Sequence, residues 1–306
     1  MGPRMNELWK TLYSKHIFSL AQILLKLGYF KGSGRVTNFL SRFVPFQKNL
    51  FRHPFGFFWR VSNRETFSTY ISSCEPFTSK ILTRLLPSAD SFIVVGANLG
   101  WYPLLAKSVN PNIRVNAFEC NSEIFNGLRN NISANNFKDV TLHKIALSSY
   151  ECRRNLFMPP NGNNGMSTLD LREDEIQNSE FIEEVECARL DSINIDYGQF
   201  LNAPVILIDV EGHEFDVLLG ALNFISRYKP LIILEINSSM LKAAGKSFLE
   251  LKLLMESLGY FGFWLDEREK IQGINGNEPP HIQQFGSDHG ANYLFTSNLE
   301  IISNID

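Results

Sequence analysis

The stretch SFIVVGANLGWYPLLA, residues 91–106, places two glycines four residues apart between two apolar runs. The first run, Phe92–Val95, is short and continuously apolar, which is typical of a strand buried on both faces. The second run, Trp101–Val109, has helical spacing. Glycine tolerates positive φ angles and lets another group approach the backbone closely. The stretch therefore predicts a strand, a tight turn and a helix, with another group packed against the turn.

Strands and helices continue to alternate along the chain. We predict further strands at Arg114–Glu119, Val140–Leu147, Pro204–Asp209, Leu231–Ile236, Tyr260–Leu265 and Asn292–Thr296, and further helices at Glu123–Ala134, His213–Ile225 and Ser247–Leu258. This alternation indicates βαβ units and a parallel sheet. Residues 149–188 interrupt it with turn-forming residues and an acidic run. We interpret them as an insertion, a loop or a hairpin, over one end of the sheet.

The composition supports a folded chain with one large domain and an extension. The 306 residues are 44% hydrophobic, which excludes disordered and fibrous classes. We divide the chain into a basic, aromatic-rich helical extension, 1–65, and a main domain, 66–306. The four cysteines form no CxxC pair, so the sequence predicts neither a disulfide framework nor a metal site and suits a reducing cytoplasm.

The N-terminal segment carries a concentrated positive charge. Residues 1–64 hold eleven Lys and Arg and a single acid, Glu7, although the whole chain has a net charge of −3. Residues 17–30 fall short of the roughly 20 apolar residues that a membrane span needs. We interpret them as an amphipathic helix that either packs on the main domain or lies on an anionic membrane surface at the inner membrane face. No recognition motif accompanies the charge, so a nucleic acid partner is not expected.

An acid follows the glycine turn at the spacing found in nucleoside-binding sheets. Glu119 ends the second predicted strand, about 20 residues beyond Gly100, where a carboxylate binds the two ribose hydroxyls of a cofactor. Dinucleotide sites use GxGxxG, whereas Asn98 stands here where the second glycine of that pattern would fall. The pattern therefore favours a nucleoside cofactor without a pyrophosphate, such as S-adenosylmethionine.

A second polar cluster follows the fourth main-domain strand, in ILIDVEGHEFDVLLGA, residues 206–221. Asp209 and Glu211 offer acceptors to a substrate hydroxyl, and His213 titrates near neutral pH. A general base of this kind accelerates proton removal by about 10²–10⁴-fold. Alternatively, His213 is a buried hydrogen-bonding residue, and Glu211 and Glu214 cap the following helix. HEF lacks the second histidine of HExxH, so no zinc site is predicted.

Both stretches resemble the FkbM family of S-adenosylmethionine-dependent methyltransferases. GANLGWYPLLA (96–106) is similar to the family's GANxGxYT turn, and AFECN (117–121) is similar to its AFEPN. IDVEGHEFDVLLGA (208–221) resembles its DVEGxExxVLxGA signature. Two positions depart from the pattern, since Val94 replaces an aspartate that helps to order the glycine loop and Cys120 replaces a proline.

The resemblance implies a class I methyltransferase (Rossmann-like) fold, an α/β architecture with a seven-stranded, mostly parallel sheet and helices on both faces. It also implies O-methylation of a hydroxyl on a small molecule, glycan, glycolipid or secondary metabolite, with S-adenosylmethionine as cofactor. The residues it assigns to cofactor binding are Glu75, Gly96, Asn98, Gly100, Glu119 and Asp209. The residues at the transfer site are Asp209, Glu211 and His213.

Two other function classes compete with a methyltransferase. The first is an NAD-dependent oxidoreductase on a similar sheet, which the GxxxG turn disfavours. The second is a non-catalytic cofactor-binding or membrane-associated scaffold, which Val94 and the basic N-terminal segment favour.

Overall fold

The chain forms two compact units, Met1–Lys80 and Ile81–Asp306. The computed structural model describes residues 49–72, 74–158, 166–171, 178–195, 202–266, 268–282, 286 and 289–305. The predicted amphipathic helix at 17–30 lies outside these residues. The predicted boundary after residue 65 stays a prediction.

The described part of the first unit contains a hairpin and a helix. Strands β1 (Asn49–Arg52) and β2 (Phe58–Val61) pair antiparallel, and helix α1 (Arg64–Ser72) follows. Within the predicted helical extension, residues 49–61 therefore form a hairpin instead of a helix. The residues of β2 alternate between exposed and buried, and Trp59 is buried, which is the pattern of a strand with one covered face.

The second unit is built on an eight-stranded sheet. Helix α2 (Pro76–Leu85) leads into it from the first unit. The sheet contains β3 (Ser91–Val95), β4 (Arg114–Phe118), β5 (Val140–His143), β9 (Val205–Ile208), β10 (Leu231–Asn237), β11 (Phe261–Asp266), β12 (Lys270–Gly273) and β13 (Gly290–Thr296). Its helices are α3 (Trp101–Val109), α4 (Ser122–Ser133), α5 (Glu214–Leu219), α6 (Leu222–Tyr228), α7 (Ser238–Ala243), α8 (Phe248–Ser257) and α9 (Glu300–Ile305).

The strand order is β12-β11-β13-β10-β9-β3-β4-β5. The five strands from β10 to β5 run parallel, and the remaining neighbours are antiparallel. The order reverses between β3 and β9, because successive strands are added on opposite sides of that pair. In an open α/β sheet, ligands bind beyond the carboxyl ends of the strands at such a point.

The central strands are apolar on both faces, as the sequence predicts. Every residue of β3 and β9 is buried. On one face, Ile93, Val95 and Ile208 form a common core with residues of α5, α6 and α8. Helix α3 packs on β3 and β4.

Residues 146–188 contribute a separate three-stranded sheet. Its strands are β6 (Ala146–Leu147), β7 (Cys152–Met158) and β8 (Glu180–Ala188), in the order β6-β8-β7. Strands β7 and β8 pair antiparallel, so the interruption in the sequence is a hairpin. Glu183 of β8 connects this hairpin to helix α4. Its carboxylate accepts from the backbone N–H of Ser122 at 2.6 Å and from the hydroxyl of Ser122 at 2.5 Å. These contacts lie at the first residue of α4.

Three expectations from the sequence need correction. The sheet has eight strands instead of seven, because β12 folds back on β11. The predicted strand Val140–Leu147 is broken, and its end pairs with β8 as β6. The predicted helix His213–Ile225 is two helices, α5 and α6, because Ala221 leaves the helical region of backbone angles, with φ −118° and ψ 12°. Among the described residues, no helix is both long and apolar enough to cross a bilayer.

Candidate functional site

A pocket opens at the carboxyl ends of β3, β4 and β9, where the strand order reverses. It holds about 660 Å³, a figure that counts space open to solvent. Its lining includes Gly96, Asn98, Glu119, Asp209, Glu211 and His213. The lining also includes the largely apolar set Phe118, Cys120, Ile124, Ile145, Ala146, Leu147, Leu156 and Leu169.

The glycine turn is packed against the neighbouring strand. An added Cβ at Gly96 would stand 1.7 Å from the carbonyl oxygen of Asp209, and the φ angle of Gly96 is +79°. Gly100 has a φ angle of +93°, and a Cβ there would meet Leu128 Cδ1 at 2.6 Å. Both glycines are therefore required by packing within the protein, and Gly96, unlike Gly100, also lines the pocket.

Every backbone N–H of the turn, from residue 96 to residue 100, donates to an acceptor inside the protein. Gly96 and Ala97 donate to the carbonyl oxygen of Phe118 at 3.0 and 2.8 Å. Asn98 donates to Glu119 at 3.0 Å, while Leu99 donates to the side chain of Asn98 at 2.8 Å. Gly100 donates to Ala97 at 2.9 Å. These bonds order the loop although Val94, buried in β3, replaces the acid of the FkbM pattern.

Glu119 links the glycine turn to the start of α4. Its two carboxylate oxygens accept from the N–H groups of Asn98 (3.0 Å) and Asn121 (2.9 Å). Burial raises the pKa of Glu119 to about 7, and these hydrogen bonds oppose that rise. The backbone of Cys120 is a third hydrogen-bond partner of this carboxylate. A carboxylate has about four acceptor positions, so at least one remains for a ligand.

Asp209 forms a carboxyl pair with a residue that the sequence analysis missed. Its side chain is hydrogen-bonded to Glu235, which lies on the adjacent strand β10, and carboxyl oxygens of the two lie within 4.8 Å. Burial raises the pKa of Asp209, and the hydrogen bond to Glu235 opposes that rise. Two ionised carboxylates repel each other, so the hydrogen bond requires that the pair hold a proton. Glu235 lies inside β10, unlike Glu119, which directly follows β4, and the signal in the sequence was a single acid within an apolar run.

His213 is held at both ring nitrogens. Nδ1 lies 2.6 Å from Asp170 Oδ2, and Nε2 lies 3.0 Å from Ser148 Oγ. The three residues have the order of a nucleophilic triad, but Ser148 is fully buried, which keeps substrates from its hydroxyl. The imidazole is itself 2% exposed. The structure therefore favours the predicted alternative of a buried hydrogen-bonding histidine over a base.

The remaining candidates are placed as follows. Glu211 lines the pocket, and its φ angle of +51° is uncommon for a residue with a side chain. Glu214 is the first residue of α5, and its Oε1 accepts at 3.0 Å from the N–H of Gly212, which precedes the N-cap residue His213. The N-cap residue itself makes no side-chain cap hydrogen bond, so the capping interpretation stays a prediction. Glu75 belongs to the first unit, immediately before α2, and its predicted cofactor role stays a prediction.

Glu214 predicts a measurable dependence of stability on pH. It is 1% exposed, and burial raises its pKa to about 7 from an ordinary 4.5. The folded state therefore holds this proton more tightly than the unfolded state, so the contribution of Glu214 to stability is full below pH 4.5 and is lost as the pH rises to 7. We expect Glu214→Gln to raise the urea concentration at the midpoint of unfolding at pH 8. At pH 5.5 we expect the same substitution to raise this midpoint by less. The exposed control Glu256→Gln should show no such difference, and an equal shift at both pH values would contradict this account.

Comparison with known proteins matches residues 95–261 to the methyltransferase FkbM domain, more than half of the chain. A solved FkbM methyltransferase from Methylobacillus flagellatus KT is 17% identical over 68% of this chain and 44% of its own, with a TM-score of 0.42. The present chain thus spans less than half of that protein's length. The precorrin-6y C5,15-methyltransferase of Geobacter metallireducens GS-15 is 13% identical over 72% and 87%, with a TM-score of 0.37.

A third solved structure is the plantazolicin methyltransferase BpumL in complex with a monoazolic desmethylPZN analog and SAH, which is 8% identical over 73% of this chain and 84% of its own, with a TM-score of 0.41. No curated protein matches the sequence. At these identities the assignment depends on the family match, which includes the glycine turn, Glu119 and the 206–221 cluster. The resemblance noted in the sequence is confirmed, and the chain belongs to the FkbM methyltransferase family.

Proposed function

We propose that the protein transfers a methyl group from S-adenosylmethionine to a substrate hydroxyl. The observation that carries this proposal is the pocket lining, where Glu119 accepts from a glycine turn whose N–H groups all have partners within the protein. When bound, the cofactor supplies an electrophilic methyl group on a cationic sulfonium. Carboxylates favour such a cation, and family membership supports the same cofactor.

The residues of the pocket fit this cofactor. Glu119 keeps an acceptor position for a ribose hydroxyl, and the N–H of Asn98 fixes the orientation of its carboxylate. The apolar lining residues Phe118, Ile124 and Leu147 are available to a flat base. A dinucleotide fits less well, because its pyrophosphate binds free backbone N–H groups at such a turn, and here those groups already donate to protein acceptors.

Asp209 and Glu211 are the proposed acceptors of the substrate proton. Both line the pocket, and burial raises the pKa of Asp209, which makes its ionised carboxylate a stronger proton acceptor. Much of the acceleration in such a transfer comes from holding two reactants in line. Glycans, glycolipids and secondary metabolites are the proposed sources of the hydroxyl, by the FkbM resemblance.

Differential scanning fluorimetry with S-adenosylhomocysteine and with NAD, run side by side, tests the proposal. We expect stabilisation by S-adenosylhomocysteine alone, and stabilisation by NAD alone would reject it. Mass spectrometry of a cell extract incubated with methyl-labelled cofactor then identifies the acceptor. In that assay, Asp209→Asn should lower turnover, and unchanged turnover would remove Asp209 from the transfer site.

The basic segment, residues 1–64, is proposed to attract an anionic membrane or a lipid-linked acceptor. The support is its charge and its aromatic residues, since residues 1–48 lie outside the described structure. We expect removal of residues 1–31 to reduce co-sedimentation with vesicles that contain anionic lipid, without changing the affinity for S-adenosylhomocysteine. Equal sedimentation of the two chains would refute the membrane role.

A further inference from the structure

The hairpin sends one short segment, residues 166–171, across the turn that carries Asp209 and Glu211. Ser167 and Leu169 of this segment line the pocket. Thr168 and Phe157 exchange two backbone hydrogen bonds, at 2.9 and 3.0 Å, so the segment is fixed to the end of β7. The side chains of Thr168 and Asp170 contact residues 211 and 213 of that turn. We call Thr168, Asp170 and His213 the clasp.

Thr168 contacts the backbone of Glu211 directly. Its hydroxyl donates to the carbonyl oxygen of Glu211 at 2.9 Å, and it shares that proton with the carbonyl oxygen of Asp170 at 3.0 Å. The same hydroxyl accepts from the N–H of Asp170 at 3.0 Å. Thr168 is 1% exposed, so water does not replace these bonds.

Asp170 holds the other end of the turn through His213. One carboxylate oxygen accepts from Arg154 at 2.7 Å, and the other lies 2.6 Å from His213 Nδ1. Burial tends to raise the pKa of Asp170, but His213 and Arg154 together lower it below its ordinary value. An ionised carboxylate only accepts, so Nδ1 of His213 carries a proton, and Nε2 lies 3.0 Å from the hydroxyl oxygen of Ser148.

The segment held by the clasp has an uncommon backbone. Glu211 and Gly212 both have positive φ angles, +51° and +104°. A Cβ at Gly212 would lie 2.7 Å from the carbonyl oxygen of Met240, so a side chain there would collide with that backbone. Backbone strain of this kind persists where surrounding contacts hold it, and it is concentrated at functional sites.

We propose that Thr168 and Asp170 are positioning residues, which hold Glu211 at the pocket through its carbonyl oxygen and through His213. His213 then anchors the turn and takes no proton from the substrate, because both of its nitrogens are engaged within the protein. The hairpin thereby serves the transfer step, beyond forming a wall of the pocket. This inference rests on the proposed function.

Proton NMR tests the clasp without any substrate. We expect the wild type to show a His213 Nδ1 proton far downfield of the amide region, since this short hydrogen bond is shielded from solvent. Asp170→Asn should abolish the signal or move it upfield. Asn offers one oxygen to the two donors, Arg154 and His213, so one of them faces an amide N–H. A wild type without the signal would overturn the clasp.

Turnover and affinity separate positioning from a purely structural role. The probes are methyl-labelled S-adenosylmethionine with an extract of the organism's own cells for turnover, and S-adenosylhomocysteine titration for affinity. For Thr168→Val we expect turnover to fall by roughly tenfold or more, because small displacements of reacting groups have large effects on rate. We expect the dissociation constant to change by less than about threefold, since the lost interaction acts mainly in the transition state.

Matched variants complete the experiment. Thr168→Ser keeps the hydroxyl and should retain wild-type turnover, while Arg153→Ala, on the same hairpin but exposed, should change neither quantity. Unchanged turnover in Thr168→Val, or an equal loss of turnover and affinity, would overturn the proposal. If the wild type binds no S-adenosylhomocysteine, the proposed function fails, and the His213 proton still decides whether the clasp exists.

Discussion

Gly96→Ala is expected to destabilise the protein by roughly 2–5 kcal/mol. The left-handed conformation costs an alanine about 1–2 kcal/mol, and overpacking a filled site adds about 1–3 kcal/mol. The clash here is with backbone, since the added Cβ would stand 1.7 Å from the carbonyl oxygen of Asp209. Relief would require β3 and β9 to separate at the pocket. Urea unfolding followed by circular dichroism measures the effect.

Gly245→Ala is the matched control for this prediction. Gly245 has a φ angle of +70°, but an added Cβ would meet no atom within 4 Å. We expect Gly245→Ala to lower the free energy of unfolding only by the cost of the left-handed backbone conformation, about 1–2 kcal/mol. If both variants lost the same free energy of unfolding, the contact between Gly96 and Asp209 would not be the reason for the glycine.

Glu119→Ala is expected to weaken the binding of S-adenosylhomocysteine by about 1–3 kcal/mol, the typical effect of leaving buried polar groups unpaired. Each 1.4 kcal/mol corresponds to about a factor of ten in the dissociation constant. The change removes the proposed ribose acceptor and also leaves the N–H groups of Asn98 and Asn121 without this partner. Isothermal titration calorimetry measures the affinity, with the exposed Glu186→Ala as control. Equal affinity of the Glu119 variant and the wild type would show that this acid does not bind the ligand.

The raised pKa of Glu119 also predicts the direction in which the affinity for S-adenosylhomocysteine changes with pH. Ligand hydroxyl donors favour the ionised carboxylate, and the pKa of about 7 means that protonation competes with binding below neutrality. The wild type should therefore bind S-adenosylhomocysteine more weakly at pH 6 than at pH 8. Glu119→Gln, which does not titrate, should lack that difference, and the same slope in both proteins would contradict the assignment.

The sequence predicts the centre of the sheet because its strands have a local signature. Phe92–Val95 and Val205–Ile208 are continuously apolar, and a strand buried on both faces needs that composition. The eighth strand, KIQG, is short and largely polar, and pairing with β11 makes it a strand. The break between α5 and α6 falls at Gly220 and Ala221, inside a stretch with helical spacing, so helical periodicity alone does not reveal it.

The candidate site was predictable where each residue follows its own strand. Gly96, Glu119 and Asp209 line the pocket for this reason. Glu235 lies inside β10 beside Asp209, so the same reasoning does not find it. His213 differs, because its role depends on Asp170 and Ser148, which are 43 and 65 residues away in the chain. Such partners meet only in the folded protein, so spacing in the sequence carries no signal for them.

The attachment of the hairpin through Glu183 limits how this protein can be recombined with its relatives. The Glu183 carboxylate accepts from the N–H of Ser122, the first residue of α4. The residue before it, Asn121, donates its N–H to the carboxylate of Glu119. A chimaera whose new hairpin lacks this acid would thus lose the hydrogen bonds that Glu183 makes with Ser122 at the start of α4. The hairpin and the start of α4 therefore have to be exchanged together, unless the incoming hairpin has an acid at the position of Glu183.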